Sequence, residues 1–244
     1  MNFEEFHGGL QRFALVSNEA DIAELCWEYA ANLGFGSFIY ALRLPTSFAE
    51  SRVVQIRGYP EAWLDRYWER GYYAIDPVIA YCSRHTLPVA WHALTPETSR
   101  ANRRVMNEAT EFGLRSGVSM PMHGPRGELG ILSFAEGSAT KAGRETVAMA
   151  MPYVQLLAGY LHEAVRRAAG SVEETPPTLS AREEDCLRWA SDGKTSWEIA
   201  RLLNISERTV NFHFNNAMTK LNATSRQHAI AKAISLCVVR PRPF

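Results

Sequence analysis

A stretch of small, acidic and proline residues near residue 170 constrains the fold of this chain more than any other feature. Residues 169–178 read Ala-Gly-Ser-Val-Glu-Glu-Thr-Pro-Pro-Thr, and this composition cannot bury an apolar face. With 244 residues in total, the chain is long enough to build a core on each side of the break. The sequence therefore predicts two domains, at 1–168 and 179–244, joined by a linker at 169–178.

Charge is distributed unevenly between these two parts. The whole chain carries 26 basic and 26 acidic side chains, which give a formal net charge of zero. From Arg188 to the last residue, however, there are nine basic side chains and only three acidic ones. A basic C-terminal module therefore follows a slightly acidic, aromatic-rich N-terminal one.

The N-terminal part alternates between helix and strand patterns. Apolar residues recur at helical spacing from Ile22 to Leu33 and stop at Gly34. The other expected elements are strands at 38–44 and 53–56, a helix opened by Thr95-Pro96-Glu97 and ended at Gly113, a hairpin of 118–122 with 129–134, and a helix from about 142 to 167. Strands in the middle, with helices before and after them, predict an α/β/α sandwich.

The C-terminal part has the pattern of four short helices with explicit start signals. In a capping box, a hydroxyl and a carboxylate satisfy the free backbone donors at a helix start. The matching pairs are Ser180 with Glu183 and Thr195 with Glu198, while Ser206 and Ser225 can cap the other two helices. Only residues 204–206 separate the second helix from the third, which is helix-turn-helix spacing. The expected fold class is α+β, a sandwich followed by an all-α helix-turn-helix domain.

The third helix of this module has two distinct faces. An apolar stripe that includes Val210 and Phe214 must face the core, which leaves Asn211 and Asn215, one turn apart, on the exposed side. An asparagine amide can pair with N6 and N7 of adenine in the major groove. The side chains that suit DNA phosphates are Lys194, Thr195, Arg208, Lys220 and Arg226. On spacing alone, an ordinary solvated polar face explains this pattern equally well.

Three long motifs stand out in the same module. They are Leu-Ser-Ala-Arg-Glu at 179–183, Gly-Lys-Thr-Ser-Trp-Glu-Ile-Ala at 193–200 and Ser-Glu-Arg-Thr-Val-Asn-Phe-His at 206–213. Together they resemble the DNA-binding domain of the LuxR family. The resemblance implies that the third helix enters the major groove, with Asn211 and Asn215 at base-contacting positions and Thr209 also in contact with DNA.

The densest aromatic segment of the N-terminal part spans residues 59–78. Tyr59, Trp63 and Tyr67 fall on successive turns of one short helix. An aromatic stripe at this spacing is usually part of a core. Asp76, followed by a proline, likewise fits a plain helix start with the aspartate as cap. From the residues alone, a structural role explains this segment.

Further motifs lie downstream of this aromatic segment. They are Trp91, Gly117 and a predicted strand, Gly-Glu-Leu-Gly-Ile-Leu-Ser, at 127–133. These features resemble the ligand domain of the acyl-homoserine-lactone receptors within the LuxR family, most closely the LasR type. One departure is Val78, where some relatives have a threonine, so one hydrogen-bonding group is missing from this chain.

The same resemblance implies roles for individual side chains. Trp63 would donate its indole N–H to a lactone carbonyl, and Asp76 would accept the amide N–H of the ligand. Tyr59 and Ser133 would donate to the acyl amide carbonyl. Tyr67 and Trp91 would wall the pocket.

These features predict a ligand-responsive transcription factor. It is expected to bind an N-acyl-homoserine lactone and, as a homodimer, an inverted repeat in double-stranded DNA, with no cofactor or metal. A regulator that responds to a different small molecule, or to none, is the first alternative. An enzyme is the second, but the chain has no G-x-S-x-G, H-E-x-x-H, P-loop or G-x-G-x-x-G motif.

The expected location follows from the cysteines and the apolar runs. The four cysteines lie far apart and include no C-x-x-C pair, which is typical of a reducing compartment. The first 13 residues lack the apolar stretch of a signal peptide, and the longest uncharged run, 146–162, falls short of a membrane span. We therefore expect a cytoplasmic protein without a membrane partner.

Overall fold

The computed structural model describes residues 3–47, 49–94, 100–170 and 177–240. The chain divides into two compact units, Met1–Glu173 and Glu174–Phe244, and each unit has an apolar core of its own. Within the described ranges, no helix has both the length and the apolar character needed to cross a membrane.

The N-terminal unit alternates helices and strands. In chain order these are α1 (Phe3–Leu10), α2 (Arg12–Leu15), α3 (Glu19–Asn32), β1 (Ser37–Pro45), β2 (Ser51–Gly58), α4 (Glu61–Glu69), α5 (Pro77–Cys82), β3 (Val89–Ala90), α6 (Arg100–Glu111), β4 (Ser116–His123), β5 (Leu129–Glu136) and α7 (Lys141–Ala168). Short 3-10 turns at Tyr72–Ala74 and Trp91–Ala93 connect some of these elements.

The strands form one antiparallel sheet in the order β2-β1-β5-β4-β3. Successive residues of a strand face opposite sides, so each face of the sheet packs against different helices. Phe38, Val118 and Phe134 belong to a core shared with α1, α3 and α7. On the other face, Ala135 packs with Trp63 of α4 and with α6. The predicted α/β/α sandwich is therefore confirmed.

Local signals account for the boundaries of several elements. Helix α3 is capped by the side chain of Asn18, and it ends just before Gly34, which adopts a φ of 83°. Strands β4 and β5 form the predicted hairpin. Helix α6 is described from Arg100 onward, so its predicted start at 95–97 lies outside the described residues.

The C-terminal unit is helical in its described part. Its helices are α8 (Ala181–Ser191), α9 (Ser196–Leu203), α10 (Glu207–Lys220) and α11 (Arg226–Ser235). Both predicted capping boxes form, and Ser206 and Ser225 cap α10 and α11. Asn204 ends α9 in the left-handed conformation, with a φ of 53°, which asparagine tolerates. This turn gives α9 and α10 the helix-turn-helix arrangement.

The core of this unit uses the apolar stripe of α10. Val210, Phe214, Ala217 and Leu221 are all buried, as the sequence predicts. They pack in one cluster with residues of α8, α9 and α11. The opposite face of α10 therefore remains exposed.

Candidate functional site

An aromatic cluster covers one face of the N-terminal sheet. At its centre, the Trp63 side chain is only 4% exposed. Its ring centroid lies 5.8 Å from that of Tyr67 and 5.5 Å from that of Phe112. Tyr59 and Trp91 pack against the same cluster. The structure thus brings together the four aromatic side chains that were assigned to one pocket.

Asp76 is joined to this cluster through Tyr67. The Tyr67 hydroxyl donates to Asp76 Oδ2 at 2.8 Å, and the backbone N–H of Val78 donates to Oδ1 at 2.7 Å, which makes Asp76 the predicted N-cap of α5. Burial raises the pKa of the Asp76 carboxyl, although the hydrogen bonds from Tyr67, Val78 and Ile79 act in the opposite direction. An ionised carboxylate is only an acceptor, so any ligand atom that binds it must donate.

The hydroxyl group of Tyr59 is buried and has no hydrogen-bond partner among the described residues. Desolvation and the nearby Asp76 carboxylate raise the pKa of this hydroxyl, while the neighbouring Ser133 hydroxyl acts to lower it. Leaving a buried hydroxyl unpaired costs about 1–3 kcal/mol. A polar ligand atom between these side chains would remove that cost.

Trp91 is linked to Ser133 through a residue that sequence analysis did not single out. The Trp91 indole N–H donates to Ser119 Oγ at 2.9 Å, and the Ser119 and Ser133 hydroxyls lie 2.7 Å apart. Because the indole N–H can only donate, the Ser119 hydroxyl accepts a hydrogen bond from it and can donate its own O–H to Ser133 Oγ. The Ser133 hydroxyl can then donate a hydrogen bond to a ligand. Only the β4–β5 register, in which Ser119 faces Ser133, reveals this contact.

A groove of about 290 Å³ adjoins the cluster. Pro77, Trp91, Met106 and Leu114 are among the residues that line it. A larger groove of about 590 Å³ lies between α3 and β2 and contains none of the predicted ligand residues. The smaller groove is therefore the one that can extend the aromatic pocket toward solvent.

Helix α10 presents its asparagines on the exposed side. Asn211 and Asn215 both face solvent. The Asn211 Oδ1 atom accepts a hydrogen bond from Ser196 Oγ at 2.9 Å, so this amide is held in one orientation. Phe212 is 60% exposed on the same helix, and sequence analysis gave it no role. This surface combines amide groups with one large apolar side chain.

Arg226, for which the sequence suggests a DNA phosphate, has its guanidinium engaged by partners within the unit. Its guanidinium carbon lies 4.0 Å from the ring centroid of Phe214. The guanidinium donates to Ser196 Oγ at 2.7 Å and to the Lys194 carbonyl oxygen at 3.2 Å. These partners lie about 30 residues away along the chain, so no local pattern could indicate them.

Lys220 and Thr195 also have partners within the unit. Lys220 Nζ lies 2.7 Å from Glu183 Oε2, in the first capping box. The Thr195 hydroxyl donates to Glu198 Oε2 at 2.9 Å, in the second. In contrast, Arg208 is exposed, and no hydrogen bond or ion pair engages it within the described residues. Of these three predicted phosphate contacts, Arg208 is the one whose side chain has no partner within the described residues.

The remaining predicted DNA contacts, Lys194 and Thr209, lie at helix starts. Thr209 Oγ1 is 2.7 Å from Oγ of Ser206, the cap of α10. Lys194 directly precedes the cap of α9. Helix N-termini present free backbone N–H groups and a partial positive charge, which suit an anion such as phosphate.

In the described part of the chain, no group of three histidine, cysteine or acidic side chains lies close enough to hold a metal ion.

Two family models match the two units of the chain. Residues 18–165 match the autoinducer binding domain, and residues 177–233 match the bacterial regulatory proteins of the luxR family. The chain belongs to the luxR family.

Relatives of this luxR-family protein cover nearly its whole length. The transcriptional activator protein AhyR of Aeromonas hydrophila is 37% identical over 238 residues, which are 95% of this chain and 91% of AhyR. The transcriptional activator protein LuxR of Aliivibrio fischeri is 32% identical over 226 residues, or 92% and 90% of the two chains. A structure of SdiA in complex with octanoyl-rac-glycerol matches with a TM-score of 0.74 and 29% identity over 98% of both chains.

These matches determine the broad class of this luxR-family protein. An autoinducer binding domain followed by a luxR-type helix-turn-helix makes it a ligand-responsive transcription regulator. The named relatives are transcriptional activators and not enzymes, so the comparisons favour the regulator over the enzyme alternative.

Proposed function

We propose that this luxR-family regulator binds an N-acyl-homoserine lactone in its N-terminal unit and, as a homodimer, an inverted repeat of double-stranded DNA through α10. The observation that carries the ligand assignment is the buried, unpartnered Tyr59 hydroxyl beside Asp76 and Ser133. The ligand-binding domain comprises 1–168, the linker 169–178 and the DNA-binding domain 179–244. We assign the protein to the cytoplasm, a reducing compartment that keeps cysteine side chains as thiols.

The head group of a lactone fits the donors and the acceptor of this site. The ligand amide N–H donates to Asp76, which can only accept, and the lactone carbonyl accepts from the Trp63 indole, which can only donate. The acyl carbonyl accepts from Tyr59 and Ser133. Because the Trp63 indole can only donate and the Asp76 carboxylate can only accept hydrogen bonds, the head group has a single favourable orientation.

The acyl chain of the ligand requires apolar surface. Tyr67 and Trp91 wall the pocket, and the groove beside Trp91 continues past Met106 and Leu114. Each methylene buried there contributes about 0.8 kcal/mol to binding. Val78, which is buried at the start of α5, adds apolar surface rather than a hydroxyl.

An acylglycerol is a second candidate ligand, because the SdiA structure holds octanoyl-rac-glycerol. Such a molecule shares the fatty chain with a lactone and can donate hydroxyl groups to Asp76. It has neither an amide N–H nor a lactone ring. The head group therefore distinguishes the two candidates.

The DNA half of the proposal rests on the outer face of α10. Asn211 and Asn215 read base edges in the major groove, and the exposed ring of Phe212 suits a thymine methyl group. Arg208, Lys194 and backbone N–H groups at the helix starts bind phosphates and fix the register. A two-fold dimer places two such helices about one helical turn apart on DNA.

Native mass spectrometry of the full-length chain tests the ligand assignment. The protein is produced with lactones of short to long acyl chains, with octanoylglycerol, or with neither. We expect an intact lactone to be retained by the folded protein. Selective retention of octanoylglycerol supports the second candidate, and conversion of the lactone to its ring-opened product supports the enzyme alternative. Retention of neither compound overturns the ligand assignment.

Selection from a random DNA duplex library tests the DNA half. We expect the liganded or ligand-free full chain to enrich a two-fold symmetric sequence, and the protein–DNA complex to contain two chains. Enrichment of no sequence in either state overturns the DNA half independently of the ligand result.

A further inference from the structure

Three side chains from three helices of the C-terminal unit form a hydrogen-bonded chain, called here the Asn211 relay. Arg226 at the start of α11 donates to Ser196 Oγ at 2.7 Å. Ser196 at the start of α9 donates to Asn211 Oδ1 of α10 at 2.9 Å. The guanidinium is itself fixed by the Lys194 carbonyl and the Phe214 ring. The relay therefore begins at a well-held group and ends on the exposed face of α10.

The direction of the relay follows from the chemistry of its first member. A guanidinium can only donate, so Ser196 Oγ accepts from Arg226 and has one proton left to give. That proton goes to the amide oxygen of Asn211. Because the oxygen is held toward α9, the amide NH₂ group points the other way. This NH₂ group has no protein partner within the described residues.

We propose that Ser196 is a positioning residue that decides which bases Asn211 accepts. The proposal rests on the DNA-binding role of α10 proposed above. Because its oxygen is held by Ser196, Asn211 presents its NH₂ group to the DNA. This donor suits the acceptors N7 of a purine, O6 of guanine and O4 of thymine. Cytosine presents only its N4 amino donor in the major groove. The relay therefore rejects cytosine on the strand that Asn211 contacts.

Removal of the Ser196 hydroxyl frees the amide to rotate. Asn211 can then turn its oxygen outward and accept from the cytosine amino group, so discrimination against cytosine is lost. Ser196 does not cap α9, because Thr195 does, and alanine is a good helix former in the first turn. Ser196→Ala therefore changes base preference without removing the helix start.

Titration of full-length variants against single-base changes in the selected duplex tests the proposal. Asn211→Ala identifies the position that this side chain reads in each half-site. At that position we expect wild type to disfavour cytosine on the order of tenfold, and Ser196→Ala to remove this discrimination. Ser196→Thr, which keeps the hydroxyl, should preserve it. The double variant Ser196→Ala/Asn211→Ala should have the base preference of Asn211→Ala alone.

A matched serine control and a stability measurement separate positioning from folding. Ser191→Ala removes another helix hydroxyl, whose one hydrogen bond within the described residues goes to the Arg188 carbonyl, and should retain the wild-type preference. Thermal unfolding of each variant confirms that it is folded. If Ser196→Ala still disfavours cytosine, or if it weakens binding to all duplexes equally, the positioning role of Ser196 is overturned while the base-reading role of Asn211 stands. If Asn211→Ala relaxes no position, both that role and the relay are overturned.

Discussion

The Tyr67 hydroxyl donates a hydrogen bond to Asp76 Oδ2 at 2.8 Å, so the proposed ligand site contains a buried carboxylate held by an aromatic side chain. Burial nevertheless keeps the pKa of Asp76 above its ordinary value. The folded state thus binds this proton more tightly than the unfolded chain does. The resulting stability is fully present below the unfolded pKa and is lost as pH rises through the folded pKa.

We expect Asp76→Asn to raise the melting temperature of the ligand-free protein at neutral pH. Asparagine keeps the oxygen that caps α5 but carries no charge, so the penalty for burying an ionised group disappears. The difference from wild type should shrink as pH falls, because the raised pKa of Asp76 favours its protonation in the folded state. Thermal unfolding from neutral to acidic pH is the measurement. Asp65→Asn, at an exposed position of the preceding helix, is the control and should show no such trend. A difference that does not vary with pH would contradict this account.

Trp63→Phe should fold normally and require more lactone for the same response. The substitution keeps an aromatic ring in the cluster and removes the N–H, at a cost of roughly 1–3 kcal/mol in ligand binding. Binding titrations with one lactone series measure the change. Trp68→Phe is the matched control, because Trp68 lies on the same helix and is 41% exposed. Equal affinities for wild type and Trp63→Phe would show that Trp63 is only a core residue.

A lactone that binds only the folded state should raise the melting temperature of the full chain. The stabilisation is about 2.7 kcal/mol at a hundredfold excess over Kd. For a protein of this size, the shift amounts to a few degrees. Calorimetric scans with lactones from short to long acyl chains measure it. If no lactone shifts the melting temperature, a regulator that responds to another ligand, or to none, is favoured.

Alanine substitutions on α10 should separate base reading from phosphate binding. Asn211→Ala or Asn215→Ala should cost about 1–3 kcal/mol on the selected duplex and relax one position in each half-site. Arg208→Ala should weaken binding to all duplexes alike and reduce the salt slope by about 1 per module. Titrations at two salt concentrations distinguish these effects. Uniform losses for the asparagine variants would mean that the base sequence is recognised elsewhere.

Lys220→Ala should affect stability more than the salt dependence of DNA binding. Burial works to raise the pKa of Glu183, but hydrogen bonds from Lys220 and from the Ser180 backbone lower it overall. Such a group stabilises the fold above its unfolded pKa, and this stability is lost as pH falls through the folded pKa. We expect Lys220→Ala to lower the free energy of unfolding by about 1 kcal/mol at neutral pH, and by less in acid.

Denaturant unfolding at neutral and acidic pH measures that loss, and the same salt titrations used for Arg208→Ala provide the comparison. A clear fall in the salt slope for Lys220→Ala would support the phosphate contact expected from the sequence.

Features with local causes could be predicted from the sequence. The caps Ser180 and Thr195 bond to groups three residues away, so spacing alone reveals them. The apolar stripe of α10 and the β4–β5 hairpin follow from periodicity in the same way. These signals specified the helix-turn-helix and most of the sandwich.

Contacts between distant parts of the chain could not be predicted in this way. Ser119 meets Ser133 across two strands, and Arg226 reaches Ser196 over 30 residues. The local sequence pattern does not distinguish a surface arginine from one that faces the interior. The charge of Arg226 alone therefore suggested a phosphate contact. The ligand residues, likewise, were assigned through family resemblance, because their spacing equally favours a plain aromatic core.

Glu183 serves two structures with one carboxylate: it completes the cap on Ser180 and pairs with Lys220 at the far end of α10. Two separate interactions therefore restrict which residues can replace Glu183. A replacement that suits the cap but cannot pair with a cation leaves Lys220 without its carboxylate partner. A replacement that suits the lysine but cannot reach the backbone leaves the Ser180 N–H at the start of α8 without its acceptor. Positions 180, 183 and 220 should consequently vary together among homologous regulators, although position 220 lies 37 residues from position 183.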